Sequence, residues 1–235
     1  MTPGTSHGEG PSPLLPLPSL AIAPLYPGSF FPPPDEPGRA LLAGDVEGGA
    51  SLARAVLEGS PSTPERFGAL LALAIADGLL GRYQEALDGI GAAEAALGEP
   101  DDAQRVLVLA NRSAALVALW RLTDGERAAA EALRAGRRMK DDHQAAVGGF
   151  ARAVAHLARG RRADARTRLA EAVRGFAKAG DVLRQVQCHH LLGEIAYDGE
   201  DPIRAGSHYR DGLTLARPAG ALAAVELLTL RFEHR

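Results

Sequence analysis

Four polar residues of one segment, Gln187, His190, Glu194 and Tyr197, fall at steps of three and four, so a helix would carry them on one face. Leu191, Leu192 and Ile195 take the opposite side, the one expected to pack. Such a row is either a binding stripe or an ordinary solvated surface, and the spacing is compatible with both. Cys188 and His189 precede it, and His190 with Glu194 has the four-residue spacing of helical metal ligands. Neighbouring side chains on a helix point about 100 degrees apart, so Cys188, His189 and His190 cannot share one ion, and a structural role is the favoured expectation. No metal and no cofactor is predicted. Acids such as Asp77, Glu85 and Asp88 are scattered and form no acid–base constellation. The chain also lacks Cys-x-x-Cys, His-Glu-x-x-His, a Gly-rich phosphate loop and a Gly-x-Ser-x-Gly elbow, so a non-catalytic protein is expected.

Arginine supplies the other chemistry. Residues 1–120 carry 6 basic and 14 acidic side chains, residues 121–178 carry 14 and 7, and the remainder carry 6 and 8. A basic belt over 121–178 is therefore hidden in a net charge of −3. Its dense parts are Arg134, Arg137 and Arg138 at one predicted helix end and Arg159, Arg161 and Arg162 around a turn. Binding of an anionic polymer through phosphate contacts is one reading, and it implies steep salt dependence. A solvated face is the other, since cations in a last helical turn offset the macrodipole by roughly 0.3 to 1 kcal/mol each. The negative total charge, aromatics at 5% and the lack of a nucleic-acid module weigh against nucleic acid.

The elements that must position these groups repeat. Turn sequences recur at Gly44-Asp45, Leu80-Gly81-Arg82, Leu119-Trp120-Arg121, Arg159-Gly160-Arg161 and Gly199-Glu200, a period near 40 residues. Between them run helical patterns rich in Ala and Leu. A fixed period of this size marks a solenoid, in which no unit buries its apolar face alone. The expected class is all-α, with four to five hairpins over residues 39–235 and a capping helix from about Ala219 to Phe232. Thr63 is expected to cap the helix that begins at Pro64, and Thr123 with Glu126 to form a capping box. Residues 1–38 hold 11 of the 16 prolines and are expected to be an extended or disordered tail. The tail is nevertheless apolar, with Leu14, Leu15, Leu17, Leu20, Ile22, Leu25, Tyr26, Phe30 and Phe31, which predicts docking on its own solenoid or on a partner. One cysteine precludes an intramolecular disulfide, and with no signal peptide or apolar span in view the expected location is cytoplasmic.

Leu192-Gly193 followed by Ala205 and Tyr209, and Gly81-Arg82-Tyr83-Gln84-Glu85-Ala86-Leu87 in an earlier unit, resemble the tetratricopeptide repeat family. The long period is similar to the repeats of kinesin light chains and of bacterial regulators. Ala86, Gly125, Ala165 and Ala205 take the family's small-residue position, where two helices nearly touch. The resemblance implies a right-handed superhelix whose first helices line a concave groove for a peptide or helix. Carried over position by position, the lining is Leu71 and Ile75, then Leu107, Asn111 and Ala114, then Phe150 and Val154, then Gln187, His190, Glu194 and Tyr197. Asn111 stands where family members bond the backbone of a bound peptide. Leu71 and Ile75 lack the basic partners that grip a terminal carboxylate. The implied function is an adaptor that binds another protein through Asn111, Phe150, Gln187, His190, Glu194 and Tyr197, with self-association a further option and no membrane. A sensor for a small ligand or signalling peptide is the alternative, beside the anionic-polymer reading.

Overall fold

A computed structural model describes residues 30–233. Residues 1–29, most of the proline-rich tail, lie outside the described residues, as do 234 and 235. Eleven helices make up the described chain: α1 (Glu36–Leu42), α2 (Val46–Glu58), α3 (Thr63–Leu79), α4 (Tyr83–Leu97), α5 (Asp102–Ala118), α6 (Leu122–Arg138), α7 (Asp142–Ala158), α8 (Arg162–Ala179), α9 (Val182–Asp198), α10 (Pro202–Ala216) and α11 (Leu222–Glu233). They pair into five hairpins, and α11 packs over the end of the stack on α10. No strand occurs among the described residues. The expected tail boundary at residue 38 falls inside α1, because Asp35 caps that helix by accepting from the Gly38 amide.

Each hairpin closes on one residue with left-handed backbone: Gly44, Gly81, Trp120, Gly160 and Glu200, with φ between 57° and 89°. The turn then repeats a single hydrogen bond, from the amide that follows to a carbonyl five residues back. Examples are Arg82 to Asp77, Arg121 to Leu116 and Arg161 to His156, all at 2.9 Å. Glycine takes this geometry without a Cβ clash, whereas Trp120 and Glu200 hold it against a penalty of roughly 1–2 kcal/mol. The last turn is centred on Glu200 and not on Gly199, whose φ is −86°.

Small residues set the helix spacing. Ala86, Gly125, Ala165 and Ala205 are all buried on the seams of their hairpins. Between hairpins α6 and α7 approach more closely still: a Cβ added to Gly148 would lie 2.5 Å from the Leu133 backbone. Two expected caps differ. Ser62, not Thr63, caps α3, and the Glu65 carboxylate accepts from its amide and hydroxyl at 2.8 and 2.7 Å. The Thr123–Glu126 box does not form, since α6 starts at Leu122 and Glu126 is drawn to Arg152, Arg159 and Arg161. Three cations outweigh one backbone amide for that carboxylate.

Candidate functional site

The first helices of the hairpins, α3, α5, α7 and α9, surround a short extended strap formed by Phe30 to Pro34. Prolines 32 to 34 keep it out of helix and in an extended form. Asn111, fully buried on α5, reads its backbone: the Asn111 Oδ1 accepts from the Phe31 amide at 2.7 Å, and the Nδ2 donates to the Phe31 carbonyl at 2.9 Å. The same Nδ2 donates to the Leu107 carbonyl one turn back, which holds the amide in this orientation.

Arg184 on α9 completes the clamp. Its guanidinium donates through Nη2 to the Phe30 carbonyl at 2.7 Å and through Nη1 to Gln187 Oε1 at 2.7 Å, and lies 4.1 Å above the centre of the Phe31 ring. The residue is only 4% exposed, and a buried guanidinium is costly unless its donors are used. Phe31 also stands edge-on to Phe150 of α7, with ring centres 5.6 Å apart, and both rings are buried. Phe30 rests on α3, where the seat depends on glycine: a Cβ on Gly78 would come within 2.4 Å of Phe30 Cζ. Burial of one such ring stabilises by roughly 1.5–3 kcal/mol.

Beyond the strap a cavity of about 710 Å³ opens between the N-terminal ends of α3, α5, α7 and α9. Phe31, Pro33, Phe67, Leu107, Val147 and Leu183 make its walls mainly apolar. At its edge His143 Nε2 lies 3.0 Å from Asp181 Oδ2. Burial alone would raise the Asp181 carboxyl, but the His143 bond, the Arg184 amide and the Arg184 charge together hold it below its ordinary value.

With this geometry in place, sequence comparison adds nothing: no family model matches the chain, and no curated protein matches it. Solved structures do. The apo form of RapI superposes with a TM-score of 0.57 at 12% identity, over 78% of this chain and 67% of that one. A helical-repeat fold is what the two chains share.

The sequence-predicted residues go to different places. Asn111 and Phe150 meet at Phe31, and Gln187 meets them through Arg184. Leu71, Ile75, Ala114 and Val154 are packed into the core, and Leu107 is part-buried at the cavity. His190 and Glu194 are neither solvated nor on an open stripe. Glu194 is 5% exposed; its Oε1 accepts from the Tyr209 hydroxyl at 2.8 Å and lies 3.1 Å from Arg231 Nε and 3.5 Å from His190 Nε2. Burial opposes its charge, but His190, Arg231 and Tyr209 outweigh that and lower its pKa. The cause is α11, which returns over the last hairpin and brings Arg231 to α9. Only Tyr197 of the predicted row is exposed.

The belt is similarly divided. Arg159 and Arg161 join Arg152 around Glu126, Arg137 and Arg168 share Glu171, and Arg162 faces Asp198 at 3.5 Å. Burial disfavours the Glu126 charge, yet Arg161, Arg152 and Arg159 hold that carboxyl below the usual range. Arg134 and Arg138 stay exposed on α6. Cys188 is fully buried, which pushes its thiol pKa up. Among the described residues no helix is long and apolar enough to cross a membrane.

Arg184 is the groove residue that sequence spacing misses. Its only signal is a lone arginine three residues before Gln187 in an otherwise uncharged stretch of α9. What makes it a site residue is the Phe30 carbonyl, 154 positions away.

Proposed function

We propose that this chain is a non-catalytic binding module that takes an extended peptide segment of a partner protein into the groove between α3, α5, α7 and α9. Its own residues 30–34 hold that groove until the partner segment displaces them. The observation that carries this is the paired hydrogen bonding of Asn111 to the Phe31 amide and carbonyl. Both bonds go to main chain, so they are available to any extended peptide, while Phe150, Gly78 and the Arg184 guanidinium select for aromatic side chains. Without the strap, Asn111 loses its bonds to Phe31 and Arg184 Nη2 its bond to Phe30, bonds that another extended segment would restore.

A labelled peptide of residues 27–36 tests this when offered in trans to the full chain and to its Phe30→Ala/Phe31→Ala form. The expected result is binding to the substituted chain, little to the native chain, and loss on adding Asn111→Ala. Equal binding to all three, or none to any, overturns the proposal.

A second reading, sensing of a small apolar ligand, is favoured by the cavity beside Pro32 to Pro34, whose volume lies within the ordinary range of ligand pockets. Thermal shift with apolar compounds tests it, and a Leu107→Trp filling of the cavity should abolish any shift. The arginine belt offers less to an anionic polymer, because Glu126 and Glu171 already engage Arg137, Arg152, Arg159, Arg161 and Arg168.

A further inference from the structure

The last hairpin brings together three groups that take no part in the groove. His208 and Asp211 are three residues apart on α10 and therefore share a face. His189 of α9 packs onto that face, its ring centre 5.8 Å from that of His208. One ligand atom from each of the three residues lies within 4.8 Å of the other two.

The ring nitrogens have nothing better to do. The Nδ1 atoms of His189 and His208 are both buried and lack a hydrogen-bond partner among the described residues. His189 Nδ1 is 3.9 Å from Asp211 Oδ2, too far for a hydrogen bond. Two buried ring nitrogens without a hydrogen-bond partner are costly unless a third body completes them.

We infer that His189, His208 and Asp211 form a three-ligand site for a divalent transition-metal cation of the zinc type, with a fourth position open to water. Two imidazoles and one carboxylate suit such an ion, whereas calcium and magnesium prefer all-oxygen shells. Bonds of about 2.0–2.2 Å require the donors to close in by roughly 1 Å. Asp211, 53% exposed at its side chain, has the room to do so. His190, one residue on, turns instead to Glu194 and Tyr209, so adjacent histidines serve different ends.

The test uses full-length, untagged protein stripped with chelator and then titrated calorimetrically with zinc, with cobalt as a spectroscopic probe. Expected are one saturable zinc site, a visible cobalt absorption band, a higher melting temperature with zinc and no response to magnesium. His208→Gln and Asp211→Asn should each lower zinc affinity by more than about tenfold, because even outer-shell partners are worth 10–100-fold. Unchanged helicity in both variants separates loss of ligands from loss of fold. No saturable binding at millimolar zinc, or equal binding by both variants and the native chain, overturns the inference.

Discussion

Two buried polar centres share helix α9 and are completed in opposite ways. The Asn111–Arg184 centre finds its partners in Phe30 and Phe31, 154 and 80 positions away on the segment before α1. The Glu194 centre finds its partners in Tyr209, 15 positions away on the adjoining helix, and in Arg231 of the capping helix. The first set lies on a segment outside the hairpins, and the second lies on α10 and α11 of the stack itself. On the proposed reading, the first centre is a binding position and the second is architecture.

Removing Glu194 should give the largest effect. Glu194→Ala leaves Arg231, His190 and the Tyr209 hydroxyl short of an acceptor in a buried site, and the expected loss is about 3 kcal/mol by denaturant unfolding. A loss under about 0.5 kcal/mol would erase the contrast with the groove. Gly78→Ala attacks the other centre. Its methyl takes the place of the Phe30 ring, while alanine gains about 1 kcal/mol of helix propensity over glycine. Global stability should fall by no more than about 2 kcal/mol, and in the Phe30→Ala/Phe31→Ala chain affinity for the peptide of residues 27–36 in trans should fall at least about tenfold, because its Phe30 needs the same seat. A much larger loss of stability would make the strap part of the core, and unchanged peptide binding would remove Gly78 from the site.

Acid should separate the centres by a smaller amount. The Glu194 carboxyl has a folded pKa below its unfolded value, so its contribution is full above the unfolded pKa of about 4.3 and is lost as pH falls through the folded value. Asp181 behaves alike from about 3.9 downward. Glu194→Gln should therefore flatten the stability profile below about pH 4.3 and leave peptide binding at neutral pH unchanged. Trp120→Gly, remote from both centres, is the control of least effect. Trp120 is 64% exposed with φ of 59°, and relief of that backbone is set against a freer unfolded chain, giving a change within about 1 kcal/mol by circular dichroism melts.

The hairpins were legible because their signals are local. Gly81 and Gly160 mark left-handed turns, and Asp101, Asp141, Asp181 and Asp201 each cap the helix that follows by accepting an amide three residues on. Trp120 and Glu200 show the limit of that legibility, since the repeat period pointed to a turn there but nothing in the residue types pointed to left-handed backbone. Thr123 and Glu126 matched a capping pattern, yet the arginines 26 to 35 residues downstream on α7, and in the turn from α7 into α8, made a better offer to the carboxylate.

By itself the sequence determined the stack of helical hairpins, the small residues on its seams and the apolar character of the segment before α1. Periodicity and turn chemistry act within a few residues and need no knowledge of the rest of the chain. Only the tertiary structure decided that Phe31 is the partner of Asn111, that Arg184 belongs to the groove, and that His190 and Glu194 are sealed beneath α11. A helix face is solvated or buried according to what arrives from elsewhere in the chain, and spacing along one helix carries no record of what arrives.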